Sequence, residues 1–231
     1  MSNLPKFHRI NADTRRDALV QAALDSLAAH GHEGVSVRRI AAIAGVSPGL
    51  INHHFASIEE LVAQAYEHLA MRLMAQQMDC VNAAANTPKA RLQAFIEVSF
   101  SPLVLDPKLL TVWLVFWSKL PHSPALLAIH RRTWAHYRGL LAVELEGIAK
   151  AEKLTGFDAA DAATALAAML DGLWVMWCLD PKALTPHKGV ALCLAWLDNT
   201  LAAEVRHLFP ETLPSAAQSA NKFKHLRGFS D

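Results

Sequence analysis

Residues Val37 to Phe55 read V-R-R-I-A-A-I-A-G-V-S-P-G-L-I-N-H-H-F, a run that permits little besides two short helices crossing steeply around a tight turn. Ile40 and Ile43 are spaced to bury one face of the first helix, and Ala41 is small enough for the second to approach closely. Gly45 supplies the positive φ of the turn, Val46 plugs its corner, and Ile51 anchors the second helix. Ser36 can cap the first helix, and Ser47, followed by Pro48 at the first helical position, can cap the second. Before this pair, Ala18, Leu19, Ala22, Ala23 and Leu27 recur at helical spacing, which predicts a helix from about Thr14 to His30 stopped by the Gly31 to Gly34 turn. After it, Ser57 with Glu60 three residues on makes a capping box for a long fourth helix, broken near Ala85 by Asn86, Thr87 and Pro88.

The rest of the chain is punctuated in the same manner. Breaks at Ser101 to Pro107, Pro121 to Pro124, Leu154 to Asp158 and Asp180 to Pro186 divide it into five more helices, the last two at about 158–179 and 187–208. Apolar residues alternating with period two are hard to find, so the expected fold is all-α: an N-terminal helix-turn-helix domain followed by a larger helical domain. The expected organisation is 1–56, 57–212, and a flexible tail at 213–231 where Ser, Ala, Gln, Asn and Lys take over. With 231 residues, 52% of them apolar, the chain can hold a core without disulfides. Its three cysteines, Cys80, Cys178 and Cys193, are widely spaced and fit reduced thiols in a cytoplasmic protein. Ala162 to Leu179 is apolar enough to suggest a membrane span, but the carboxylate of Asp171 lies near its middle, so a buried helix and no membrane partner are expected. The N-terminus lacks the layout of a signal peptide.

A helix-turn-helix of this geometry places the N-terminal half of its second helix in the major groove of DNA while the first lies across the backbone. The stretch from Arg16 to Leu61 contains A-A-L, then H-G-x-x-G-V-S-V-x-x-I-A-x-x-A-G-V-S, then H-F-x-S-x-E-E-L, and in this it resembles the N-terminal domain of TetR-family transcriptional repressors. The resemblance implies a palindromic double-stranded operator bound by a homodimer. It assigns Ser36, Arg38 and Arg39 to phosphates or groove edges, and Ser47, Pro48, Gly49, Asn52, His53 and His54 to the DNA-facing side. Two positions depart from the family pattern: Ile58 stands where a phosphate-binding Lys is usual, and Asn52 where an aromatic residue is common. Charge supports the reading mildly, since residues 1–55 carry six Lys and Arg against four Asp and Glu. Binding should therefore depend on two symmetric copies of the head and fall steeply with salt.

All six Trp residues lie between positions 113 and 196, away from the helix-turn-helix. Trp113 and Trp117 are four apart, with Phe116 beside them; Asp171, Trp174 and Trp177 or Cys178 follow at spacings of three and four. These stripes can be plain core, but a carboxylate on an apolar helix needs a partner, and neighbouring turns offer no Lys or Arg. A cationic ligand among indole faces would provide one; an Arg from elsewhere, such as Arg131, Arg132 or Arg138, or a dimer mate, is the alternative. The segments V-W-L-V-F-W at 112–117 and L-D-G-L-W at 170–174 resemble the BetI-type, choline-responsive branch of the TetR family, whose members repress genes for choline uptake and glycine betaine synthesis. That implies a choline-like ligand held by Trp113, Trp117, Asp171, Trp174 and Trp177, with Trp134 and Phe116 as weaker candidates.

Ala162, Ala163, Ala165, Ala167, Ala168, Ala191, Ala195 and Ala202 on the last two helices suit a four-helix interface between two subunits. No GxSxG, GxGxxG, P-loop or HExxH is present, and His122, His130 and His136 lack paired carboxylates, so no enzyme activity, metal site or cofactor is expected. The connecting helix at 57–85 is expected to couple ligand binding to the reading heads.

Overall fold

The computed structural model describes residues 12–84 and 86–202, and within them the chain forms helices and connecting turns with no strand. Helix α1 (Ala12–His30) buries Leu19, Ala23, Leu24 and Leu27, then passes into a 3₁₀ turn at Gly31–Gly34. That turn folds back on the helix it leaves: Ser26 Oγ donates to the Gly34 carbonyl at 2.9 Å, and a Cβ at Gly34 would lie 2.3 Å from the Ser26 carbonyl oxygen. Only glycine permits this closeness. Helices α2 (Val37–Ala44) and α3 (Pro48–His54) follow, separated by Gly45 at φ 65°, whose N–H closes onto the carbonyls of Ala41 and Ala42. Ser36 and Ser47 occupy their expected cap positions in extended conformation, but neither hydroxyl bonds its helix. Ile40, Ala41 and Ile51 are buried as expected, whereas Ile43 is 44% exposed. Three residues beyond Ile40 turns it about 60° around the helix, past the edge of the stripe that α1 covers.

Helix α4 (Ile58–Ala84) starts with the expected box, in which the Glu60 N–H donates to Ser57 Oγ at 3.1 Å. The return bond reaches one residue further than in the usual box, the Ala56 N–H donating to Glu60 Oε2 at 2.8 Å. Ile58, where a phosphate-binding Lys is usual, packs against the N-terminal core. Helices α5 (Pro88–Ser99), α6 (Pro107–Lys119), α7 (Pro124–Glu152) and α8 (Ala159–Leu179) are each capped by a side chain, from Thr87, Asp106, Ser123 and Asp158 respectively. Helix α9 (Pro186–Ala202) completes the described part. The expected continuation of this helix to 208 and the tail from 213 lie outside the described residues.

Two apolar cores form. One joins α1 to α4 with Val112, Val115 and Phe116 of α6 and Leu126 of α7; the other joins α5, α7, α8 and α9 around Phe95, Leu145, Leu166 and Leu197. Leu109, Trp113 and Tyr137 pack against both. Helix α6 therefore belongs structurally to the DNA-side core as well as to the rear one. Helix α8 is long and apolar enough to cross a membrane, but it is part of this second core, burying Ala162, Ala163, Leu166, Ala167, Leu170 and Trp174. Ala162, Ala163 and Ala167 are thus used within the chain, and only Ala165, Ala168, Ala191, Ala195 and Ala202 of the small residues expected at an interface are exposed.

Candidate functional site: a DNA-reading head and a ligand cavity

The second helix of the pair is held in place by an arginine on α1. Arg16 donates to the His54 carbonyl at 2.6 Å, to Gln64 Oε1 at 2.9 Å and to Glu60 Oε1 at 3.0 Å, while its guanidinium lies 4.4 Å from the centre of the Phe55 ring. One side chain thus ties α1 to the end of α3 and the first turns of α4, with charge-assisted bonds and cation–π packing. Sequence reasoning counts Arg16 only as a positive charge, because its partners are 38 to 48 residues away. Arg16→Met is expected to lower the melting temperature of the head and weaken operator binding about tenfold through loss of these bonds, read by calorimetric melting and a mobility-shift titration.

With α3 fixed in this way, Ser47, Pro48, Gly49, Asn52 and His53 stand exposed along its outer face; His54 is half-buried. Arg38 and Arg39 are exposed on α2, and Arg39 makes a loose pair with Glu33 at 3.4 Å. Ser36, half-buried, lies at the N-terminus of α2 with its hydroxyl uncommitted to a cap. The backbone N–H groups at the starts of α2 and α3, together with these short polar side chains, form a surface suited to phosphate and base edges.

Behind the head, a cavity of about 330 Å³ lies between the two cores. Its wall carries a continuous run of rings. Trp174 meets Trp117 edge-on at 6.5 Å, Trp117 stacks on Trp113 at 6.2 Å, and Tyr66 meets Trp113 edge-on at 5.1 Å. Beyond Tyr66 come His130, Trp134 and Tyr137, with His130 and Tyr137 stacked on either side of Trp134 at 6.4 and 5.7 Å. The Tyr66 hydroxyl and His130 Nδ1 are 2.7 Å apart, and Trp174 Nε1 donates to the Val104 carbonyl at 3.2 Å. Burial, in part offset by Thr133 and reinforced by Asp171, pushes the Tyr66 hydroxyl up to about 12; burial and then Arg131 lower His130 below its usual value. Both rings are neutral near pH 7, so the polar pair adds no charge to the wall.

The charge comes from Asp171, which opens onto the same space. No hydrogen bond or ion pair reaches its carboxylate among the described residues, and burial alone raises it to about 6. The arginines that could have neutralised it are engaged elsewhere or apart: Arg132 pairs with Glu67 at 2.7 Å and Arg138 donates to Thr164 at 3.1 Å. At pH 7 the cavity therefore contains one uncompensated anion ringed by aromatic faces.

Of the residues expected around a ligand, Trp113, Trp117, Asp171 and Trp174 are brought together, and Trp134 joins them. Trp177 does not. Six residues beyond Asp171 on an α-helix is a rotation of about 240°, and Trp177 packs instead at the margin of the rear core. Phe116 is fully buried in the front core, behind Tyr66. Tyr66, Gln77, Ser99, His130, Thr133 and Tyr137 also line the cavity and were not expected there. For the two on α4 a signal exists, since Tyr66, Ala70, Met74 and Gln77 recur at spacings of four, four and three on a helix otherwise read as a connector.

A helix-turn-helix head joined to a ringed, charged cavity in an all-helical body defines a ligand-binding transcriptional regulator. Residues 19–65 match the model for bacterial regulatory proteins of the TetR family, and residues 88–220 match that for the C-terminal part of BetI-type transcriptional repressors. The chain belongs to the TetR family, with a BetI-type C-terminal domain. It is a DNA-binding repressor and not an enzyme. It is 34% identical to the HTH-type transcriptional regulator BetI of Rhizobium meliloti (strain 1021), over 85% of this chain and 94% of that one. A crystal structure from Pseudomonas aeruginosa PAO1, of a protein proposed to be a transcriptional regulator, is 41% identical with a TM-score of 0.79, covering 86% and 95% of the two chains. A regulator from Saccharomonospora viridis solved in complex with choline shares the fold at a TM-score of 0.69 and 19% identity, with 80% and 96% covered.

Proposed function

We propose that this repressor binds a palindromic operator as a homodimer in the cytoplasm and is released by choline or a similarly compact quaternary ammonium ion. The observation that carries the ligand reading is the unpaired Asp171 carboxylate facing Trp113, Trp117 and Trp174. A primary ammonium would need hydrogen-bond acceptors on several sides, whereas a quaternary one needs only π faces and a counter-charge, each ring contributing on the order of 0.5–2 kcal/mol. The cavity lies within the roughly 300–1,000 Å³ typical of ligand sites, so a cation of this kind can enter it. The relative solved with choline supports the choice of cation.

Coupling to DNA has two structural routes. Helix α4 carries Tyr66 at the cavity and Glu60 against Arg16 at the head. Helix α6 carries Trp113 and Trp117 and, one residue on, Ser118, whose hydroxyl donates to the Val115 carbonyl at 2.7 Å and so receives the His32 ring, 3.1 Å away, as donor. A cation that spreads the indoles moves α6, and with it the 3₁₀ turn that precedes α2. The sequence points to α4 as the relay; α6 joins it because the chain after Pro107 returns to pack on α1.

Calorimetric titration with choline, betaine aldehyde, glycine betaine and the uncharged isostere 3,3-dimethylbutanol tests the reading. Choline should bind, glycine betaine should bind worse because its carboxylate meets Asp171, and the isostere should bind weakest. Titration onto the operator complex should show choline weakening DNA binding, and DNA weakening choline binding by an equal factor. Equal affinity for choline and its isostere would remove the charge argument.

A further inference from the structure

The cavity has a second polar end that a compact ion does not use. Gln77 on α4 is 5% exposed and Ser99 on α5 is 6% exposed, and both line the cavity. Ser99 Oγ donates to the Phe95 carbonyl at 2.8 Å, so its oxygen must accept from Gln77, 3.1 Å away. This fixes the amide: Nε2 faces Ser99 and Oε1 faces away. One amide N–H is spent on Ser99. The Oε1 atom accepts no hydrogen bond among the described residues, yet is not sealed from contact, so a buried acceptor and a second donor are left for whatever fills the cavity.

Helix α4 sets the length of this wall of the cavity: Tyr66, whose ring touches Trp113, and Gln77 both line it and are eleven residues apart, which at 1.5 Å per residue separates their Cα atoms by about 16 Å. Choline reaches only about 3.5 Å from nitrogen to oxygen, the span of three single bonds. Ala70, Leu73 and Met74 line the interval, so the space between the two polar ends is apolar. At roughly 30 Å³ per water-sized unit, a cavity of about 330 Å³ holds about eleven of them, more than the seven non-hydrogen atoms of choline fill.

Resting on the quaternary-ammonium reading above, we propose that the ligand this cavity is built for is an elongated one: a quaternary ammonium seated at Asp171 and the indoles, carrying an apolar arm that ends in a neutral group able to donate and accept hydrogen bonds at Gln77. A carboxamide fits this end group, offering an N–H to Oε1 and a carbonyl to the remaining amide N–H. A terminal carboxylate does not fit, because Oε1 would oppose it.

The test uses the full chain and a series of trimethylammonium compounds with arms of two to eight methylenes, each ending in either a methyl or a primary carboxamide, with choline as reference. Affinity by calorimetry should rise about fourfold per methylene while the arm fills the apolar interval. At one arm length the carboxamide should overtake the methyl compound by about tenfold. Gln77→Met, which keeps the bulk and removes both polar atoms, should abolish that preference and leave choline affinity unchanged. The comparison of end groups on the native chain needs no variant, so a Gln77→Met protein that misfolds does not rescue the idea. Choline binding as tightly as every longer compound, or no preference for carboxamide at any length, overturns the elongated ligand and leaves the cation reading intact. Failure of all these cations, choline included, overturns both.

Discussion

Asp171→Asn is expected to reduce choline affinity roughly a hundredfold at pH 8, because among the described residues it removes the only carboxylate from a ring-lined cavity, while affinity for 3,3-dimethylbutanol stays within about twofold. The same substitution should make the ligand-free protein more stable, and the two effects share one cause. Burial raises the carboxyl from 3.8 to about 6, so the folded chain holds a proton that the unfolded chain has released anywhere between these values. A raised group contributes stability that is fully present below about pH 4 and lost as pH rises through about 6, a loss of about 3 kcal/mol at 1.36 kcal/mol per pH unit. Asparagine carries no such penalty. Melting curves of the native chain should therefore fall between pH 4 and 7 relative to those of the variant, then run parallel above pH 7. Choline affinity of the native chain should move the other way, rising through pH 6 to a plateau, and the variant should show no such step. Parallel pH profiles for the two proteins would show that Asp171 does not titrate in the cavity.

The contrast between Asp171 and Arg16 shows which parts of this molecule were legible in its sequence. Helix boundaries came through because caps and breaks are local: Asp106, Ser123 and Asp158 bond backbone N–H groups two or three residues away. Asp171 was legible because a carboxylate in an apolar helix conflicts with its surroundings, and such conflicts mark function. Trp177 was placed wrongly because a spacing of three, taken twice from Asp171, drifts around the helix while each step alone looks aligned. Ser99 was missed since nothing local distinguishes a serine that faces a cavity from one that faces water, and Tyr66 and Gln77 because their helical stripe lies on a helix read only as a connector. Arg16 counted only as a positive charge for a related reason: its role depends on three helices meeting.

The outer face of the last two helices supports the second large effect. Once Ala162, Ala163 and Ala167 are buried inward, α8 still exposes Ala165, Ala168, Gly172, Met176 and Leu179, and α9 exposes Ala191, Leu192, Ala195 and Ala202. Met176 is 50% and Leu179 71% exposed, an apolar stripe more than three turns long that water would cover at a cost. Small residues along it let a second copy approach to helix-packing distance. With this stripe as the face of the proposed homodimer, Ala168→Glu with Leu192→Asp places four carboxylates in a two-fold interface and separates the subunits. Both positions are exposed and helix-compatible, so each subunit should remain folded and still bind choline, because neither residue lines the cavity. Operator binding should not survive. A dimer reads two half-sites with one loss of translational freedom, and a head alone retains about half of the contact energy. From a specific affinity of about 10⁻⁹ M the loss is at least about a thousandfold, and the salt dependence of what remains should drop to about half its slope as half the phosphate contacts disappear. Sedimentation at micromolar concentration, choline calorimetry and operator titration on the same preparation separate the outcomes. A variant that sediments as a monomer yet holds the operator at native affinity would show that α8 and α9 do not set the spacing of the reading heads.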